Sequence, residues 1–123
     1  MKPSDVIALD AQKRGSDPHR ILKGVHEAVK RGGIVLHNNQ TSLVLVKIGQ
    51  GIYSCHLYTH DSPLTLSKNL IQFIRQLENK GVHRLYGKAD NNQIISLMSQ
   101  IGRKIGYTLE ESDLPRFNWM VQL

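Results

Sequence analysis

The sequence predicts an α/β (α+β) fold with a mixed, mostly antiparallel sheet and one β-α-β crossover. Two segments with helical spacing of apolar residues come first, and three strand-like segments follow them. Two more helical segments come next, with one strand between them and two strands after them. Short turns suit antiparallel hairpins, whereas a strand–helix–strand unit implies a parallel pair. The predicted order is α-α-β-β-β-α-β-α-β-β.

Two helices are predicted at the N-terminus, and the second has the clearer start and stop residues. The first is predicted from Ser4, as N-cap, to a stop at Gly15. For the second, Asp17 can cap the helix, Pro18 suits the first helical position, and a glycine pair ends it. Its apolar residues form one stripe, which predicts packing against the sheet: Ile21, Leu22, Val25, Ala28 and Val29.

The middle of the chain changes to an alternating period. Three strands are predicted within residues 33–59, with turns at Asn38-Asn39 and at the Gly49–Gly51 segment. Pro63 then opens a long helix that Gly81 ends.

The C-terminal part predicts a strand at 82–87, a helix with Asp90 or Asn91 as its cap, and two final strands. In the last strand, Trp119 alternates with Phe117 and Val121. We expect a core face there first and a partner surface second.

The composition predicts one domain over residues 1–123, in which residues 1–16 form an N-terminal helical segment. No apolar run reaches the length of a membrane span, so we expect no membrane association. Cys55 is the only cysteine, which excludes an internal disulfide and a cysteine-rich zinc site. We expect Cys55 to be an inert, half-buried strand residue.

The charge balance is basic, with a net charge of +6 and a pI of about 9.7. That balance is compatible with an acidic partner such as a nucleic acid. The basic residues are spread along the chain and are not interleaved with aromatic ones, as they are in single-strand binders. A solvated basic surface is the interpretation we favour, with a weak nucleic-acid contact as the alternative.

Candidate catalytic residues lie along the segment GIYSCHLYTH. Alternation places His56, Tyr58 and His60 on one face of the predicted strand, where a histidine could act as a general base. The half-exposed polar face of a sheet would give the same pattern, and we favour that interpretation. His56 and His60 would be roughly 13 Å apart along a strand, too far to share a metal ion. No metal site is predicted.

The strand-to-helix junction LYTHDSPLTLSKNL is a candidate anion site, because the first N–H groups of a helix are unpaired. It contains no glycine, Asp61 adds negative charge, and Pro63 lacks an N–H. Asp61 or Ser62 is better explained as an N-cap, worth about 1 kcal/mol. Thr65 or Ser67 as a phosphate donor remains the alternative.

The element order and the helix NNQIISLMSQIGR resemble the GNAT-type acyltransferase family. Counted from Asn91, the residues at the family's Ala, Leu, Tyr and Gly places are Ile94, Leu97, Met98 and Gly102. The resemblance implies that the junction lies where the family binds acyl-coenzyme A, and that the first family strand is shortened or missing here. It also implies a vestigial coenzyme groove, formed by Ser62, Thr65, Ser67 and Asn91. Met98 replaces the family's frequent general acid and cannot transfer a proton.

Four further stretches are similar to the internal virion protein A family of T7-like podoviruses, which look like degenerate versions of this fold. The resemblance implies a protein made with the virion and needed for particle assembly or infectivity. The four stretches are Lys2-Pro3-Ser4-Asp5, Thr59-His60-Asp61, Leu85-Tyr86-Gly87 and Ser99 to Gly102.

We therefore expect a non-catalytic bacteriophage virion or assembly protein on a degenerate N-acyltransferase scaffold. It would act through contacts with other virion proteins or with itself, in the virion and the host cytoplasm, and without a cofactor. The alternative is an active N-acetyltransferase that uses acetyl-coenzyme A and modifies a host or phage protein. In that case His56, Tyr58 and His60 are the catalytic candidates.

Overall fold

The predicted order of elements is confirmed in a computed structural model, which describes residues 2–88 and 92–123. The helices are α1 Pro3–Lys13, α2 Pro18–Lys30, α3 Pro63–Asn79 and α4 Asn92–Ile105. The strands are β1 Ile34–Asn38, β2 Thr41–Gly49, β3 Ile52–Thr59, β4 Arg84–Gly87, β5 Leu109–Glu111 and β6 Trp119–Gln122.

The helix starts follow the prolines. Helix α1 begins at Pro3 with Lys2 as its N-cap, so the prediction of Ser4 as cap was wrong by two residues. The fixed φ of Pro3 suits the first helical position, which starts the helix earlier. The predicted cap of α2 is confirmed, because the Asp17 carboxylate accepts a hydrogen bond from the N–H of His19 at 3.0 Å. The predicted caps of α4, Asp90 and Asn91, lie outside the described residues.

The six strands form one sheet in the order β1-β2-β3-β4-β6-β5. All neighbours are antiparallel except β3 and β4, which α3 connects as a parallel pair. The first turn lies one residue later than predicted, because Asn38 pairs with Thr41 and Asn39 takes a φ of 54°. The mixed, mostly antiparallel sheet with a β-α-β crossover is the predicted fold class.

The main core lies between the sheet and the helices α3 and α4. Trp119 and Val121 belong to it, as predicted. The prediction was wrong for Phe117, which precedes β6 and is half-buried, with its ring 5.5 Å from that of Tyr86. The indole of Trp119 lies where a side chain on Gly87 would stand, since an added Cβ would come within 1.9 Å of it. Helices α1 and α2 cover the opposite face of β2 and β3. No helix among the described residues is long and apolar enough to cross a membrane.

Candidate functional site

A gap opens between the parallel strands β3 and β4. Strands β3 and β4 pair over just three residues, from Ile52 to Ser54 on β3. Strand β3 continues to Thr59, whereas the last residue of β4, Gly87, pairs with β6. A cavity of about 570 Å³ lies at this gap, and residues 55–59 of β3 line it. The gap is therefore the place where a ligand could reach the backbone of β3.

The backbone of β3 at the gap is bonded to side chains of α1. In an antiparallel pair, backbone groups alternate in direction, so those of Leu57 and Thr59 point away from β2 and towards the gap. The N–H of Thr59 donates to the Asp10 carboxylate at 3.1 Å. The carbonyl of Leu57 accepts a longer contact from Arg14 Nη2 at 3.4 Å. Two groups that could hold a ligand are thus engaged within the chain.

Asp10 is the centre of this arrangement. Its side chain is almost fully buried, at 6% exposure, and its Oδ1 lies 2.6 Å from Arg14 Nε, whose side chain is 64% exposed. A buried carboxylate is tolerated only when it is paired and hydrogen-bonded, and here it has both a cation and a backbone N–H. These contacts fix α1 over the gap.

The sequence pattern alone gave no functional role to Asp10 or Arg14. One signal was present: Asp10 follows Val6 by four residues and Ile7 by three, which places an acid on the apolar stripe of α1. An acid at such a position implies a buried partner.

Of the three predicted catalytic candidates, the structure brings His56 and Tyr58 to the cavity. The Nε2 of His56 lies 3.5 Å from the hydroxyl of Ser54, and partial burial lowers the pKa of His56. Burial raises the pKa of Tyr58, with a lowering effect from Arg14 and a raising one from Asp10. A neutral histidine at this position could accept a proton.

His60 is directed elsewhere. Its Nε2 donates to the carbonyl of Val6 at 3.1 Å, and Lys13 Nζ lies 3.3 Å from its Nδ1. Strand β3 ends at Thr59, so the alternation on which His60 was grouped with His56 stops before it. His60 joins the junction to α1 and is not part of the cavity wall.

Helix α4 contributes Met98 to the cavity wall, and this residue cannot act as a proton donor. Met98 is buried there, and its thioether cannot donate a proton. The hydroxyl of Tyr107 donates to the carbonyl of Met98 at 2.8 Å, and burial raises the pKa of Tyr107 to about 12. The thiol of Cys55 also lines the cavity, and burial raises its pKa to about 12. Both groups keep their protons at neutral pH.

The junction before α3 is tied to the turn between β1 and β2. Asp61 is not the helix cap. Its Oδ2 instead accepts hydrogen bonds from the N–H of Gln40 at 2.9 Å, the hydroxyl of Thr41 at 2.7 Å and the amide of Asn69 at 3.1 Å. Three donors converge on this one oxygen, so the carboxylate is held facing the turn.

Ser62 is the cap of α3, since its hydroxyl accepts from the N–H of Thr65 at 3.4 Å. Pro63 is the first helical residue and has no N–H, and the N–H of Leu66 donates to the carbonyl of Ser62 at 2.9 Å. Ser67 is half-buried on α3, and Asn91 lies outside the described residues. The N–H groups of Thr65 and Leu66 are therefore hydrogen-bonded to Ser62 at the helix start.

Among the residues that the structure describes, no three His, Cys, Asp or Glu side chains are grouped as metal ligands.

No family model and no curated protein matches the sequence. Solved structures do match the fold. A ribosomal-protein-alanine N-acetyltransferase from Brucella melitensis has a TM-score of 0.61 and 11% identity, over 98% of this chain and 92% of that one. A GNAT-family acetyltransferase from Staphylococcus aureus Mu50 has a TM-score of 0.59 and 15% identity, over 98% and 90%. The fold is therefore that of the GNAT acetyltransferases.

Proposed function

We propose that this protein is a non-catalytic component of a bacteriophage particle, which uses a GNAT fold for protein–protein contacts. The observation that carries the proposal is that α1 engages the backbone of β3 at the gap. Asp10 and Arg14 engage the backbone of Thr59 and Leu57, the groups that face the cavity. A ligand lying along β3 would have to displace the buried Asp10 carboxylate and the exposed Arg14 side chain that pairs with it.

The charges and donors of the junction support the same proposal. Coenzyme A carries phosphates, which favour free N–H groups and basic side chains. Here Asp61 stands at the junction, and the N–H of Thr65 is used by Ser62. Met98, at the place of the family's usual acid, cannot transfer a proton, which also supports a non-catalytic role.

The role in the particle rests on the resemblance to the virion protein A family of T7-like podoviruses. It implies other virion proteins, or a second copy of this chain, as partners, and the virion and host cytoplasm as the location.

An active N-acetyltransferase is the second candidate function. The cavity of about 570 Å³ favours it, since His56 and Tyr58 line that space together. His56 would act as the base, because partial burial lowers its pKa and keeps it neutral. This candidate requires α1 to release the backbone of Thr59.

Mass spectrometry of purified particles of the encoding phage tests the proposed role. We expect the chain at a reproducible copy number relative to the major capsid protein, retained after nuclease and high-salt washes. A host cytoplasmic protein of matched abundance is the control for trapped material. Detection of the chain in the infected-cell lysate but not in the particles would contradict the proposal.

A further inference from the structure

Helix α2 exposes a row of cations on one side. Arg20, Lys23, Lys30 and Arg31 are all exposed, and their spacing of three, seven and one residues keeps them on one face of the helix. Lys47, near the end of β2, extends the row, because its side chain lies against Gly32 just after the helix. We call these five residues the basic face.

The charges of the basic face are not neutralised by ion pairs. In the described part of the chain, the one ion pair within 4.0 Å joins Arg14 to Asp10, outside this face. The segment 17–31 contains two acids, Asp17 and Glu27. Glu27 is exposed on the basic face itself, four residues after Lys23 and three before Lys30, so this face carries five cations and one acid. Asp17 is engaged at the helix start, where it accepts from the N–H of His19. A row of such cations attracts a partner with closely spaced negative charges.

The shape of the row favours a nucleic acid as that partner. From Arg20 to Arg31 the helix rises about 16 Å, and a DNA duplex carries one phosphate per roughly 1.7 Å of its axis. The basic face contains no aromatic residue, so base stacking is not expected. A membrane surface suits it less, because Ile21, Val25 and Ala28 of α2 face a small cavity over β2 and cannot insert into lipid.

We propose that the basic face binds the phosphate backbone of nucleic acid without sequence preference. The inference does not depend on the proposed function, since both a virion component and an acyltransferase could carry such a surface. Its test is the anisotropy of a labelled DNA duplex of arbitrary sequence, titrated with the protein between about 50 and about 200 mM salt. With five phosphate contacts, log K should fall with log salt at a slope of about −4.5.

A charge-matched pair of variants locates the binding. Lys23→Glu, Lys30→Glu and Arg31→Glu together remove three contacts from the basic face and should reduce the slope by about 3 and the affinity at least tenfold. Lys68→Glu, Arg75→Glu and Lys104→Glu make the same change of charge at exposed positions on α3 and α4. This control should bind more tightly than the basic-face variant at every salt concentration.

Three results would overturn the inference. They are no duplex binding by the unmodified chain at low salt, equal losses in the two variants, and tighter binding to anionic phospholipid vesicles than to the duplex. Thermal melting of each variant checks its folding. If the glutamate variant fails to fold, Lys23→Ala, Lys30→Ala and Arg31→Ala replace it and must show the same ranking.

Discussion

The backbone N–H of Thr59 donates a hydrogen bond to the carboxylate of Asp10 at 3.1 Å, which joins α1 to the last residue of β3. This bond forms where β3 has already separated from β4, so the backbone group it uses has no strand partner on that side. Arg14 neutralises the same carboxylate at 2.6 Å. The N-terminal helix therefore engages the backbone of β3 at the gap.

The Asp10 contact should be a large contributor to stability. Asp10→Ala leaves the half-buried N–H of Thr59 without its acceptor, and an unsatisfied donor shielded from water costs about 1–3 kcal/mol. We expect the free energy of unfolding, from urea denaturation, to fall by about 2 kcal/mol. Gln12→Ala is the control, because Gln12 is exposed on the same helix and should change stability by less than about 0.5 kcal/mol. Equal effects of the two variants would contradict the role of Asp10.

Gly24 is a site for stabilisation. It lies inside α2, and a Cβ added there meets no atom within 4 Å. Gly24→Ala should therefore raise the free energy of unfolding by about 0.5–1 kcal/mol, since alanine loses less backbone entropy in a helix. Gly87→Ala is the opposite case, because the new Cβ would overlap the Trp119 indole, and the variant should unfold at lower urea. A loss of stability on Gly24→Ala would show that α2 is packed differently.

Cys55 should be almost unreactive in the folded protein. Burial raises the pKa of its thiol from 9.0 to about 12, so the thiolate fraction near pH 8 falls about 10³-fold. Labelling with an aromatic disulfide reagent should be slow in buffer and fast in denaturing urea. Cys55→Ser provides the blank. Rapid labelling of the native chain would mean that the gap is open to solvent.

Acid should weaken the contact between Tyr86 and Asp113. The phenol donates to Oδ1 at 2.6 Å, and this bond lowers the pKa of Asp113 below 3.8 while it raises that of Tyr86. A lowered folded pKa means that the stabilisation is present above pH 3.8 and is lost as the pH falls through the folded value. Asp113→Asn should therefore lose less stability than the unmodified chain between about pH 5 and about pH 2.

Chemical denaturation at each pH measures this difference. Glu110→Gln changes the same charge at an exposed residue of β5 and serves as the control. If Asp113→Asn and the unmodified chain lose stability in parallel, the bond does not carry the acid dependence.

The fold could be predicted well because periodicity and turn residues are local signals. The change from helical to alternating spacing located all ten elements in their order. The ends of the helices and strands were predicted less accurately, because they depend on which side chain forms a hydrogen bond with an unpaired backbone group. At the α3 start, Ser62 and not Asp61 does so, because Asp61 is held by the β1–β2 turn.

The candidate site could be predicted only in part. Alternation along β3 placed His56 and Tyr58 together, and both line the cavity. It failed at His60, which follows the end of the strand. The contact of Asp10 with Thr59 joins residues 49 positions apart, so no local pattern could identify the pair. The one local indication was the position of Asp10 on the apolar stripe of α1, which implies a buried partner.

Titration of the folded chain with acetyl-coenzyme A tests the central claim most directly, because a ligand that binds only the folded state raises the melting temperature by mass action. If α1 keeps the backbone of β3 engaged, millimolar coenzyme should leave the melting temperature unchanged and give no binding heat in calorimetry. A saturable rise in melting temperature, matched by a calorimetric isotherm, would show that the folded chain binds the coenzyme, and would contradict the proposed coenzyme-free, non-catalytic role.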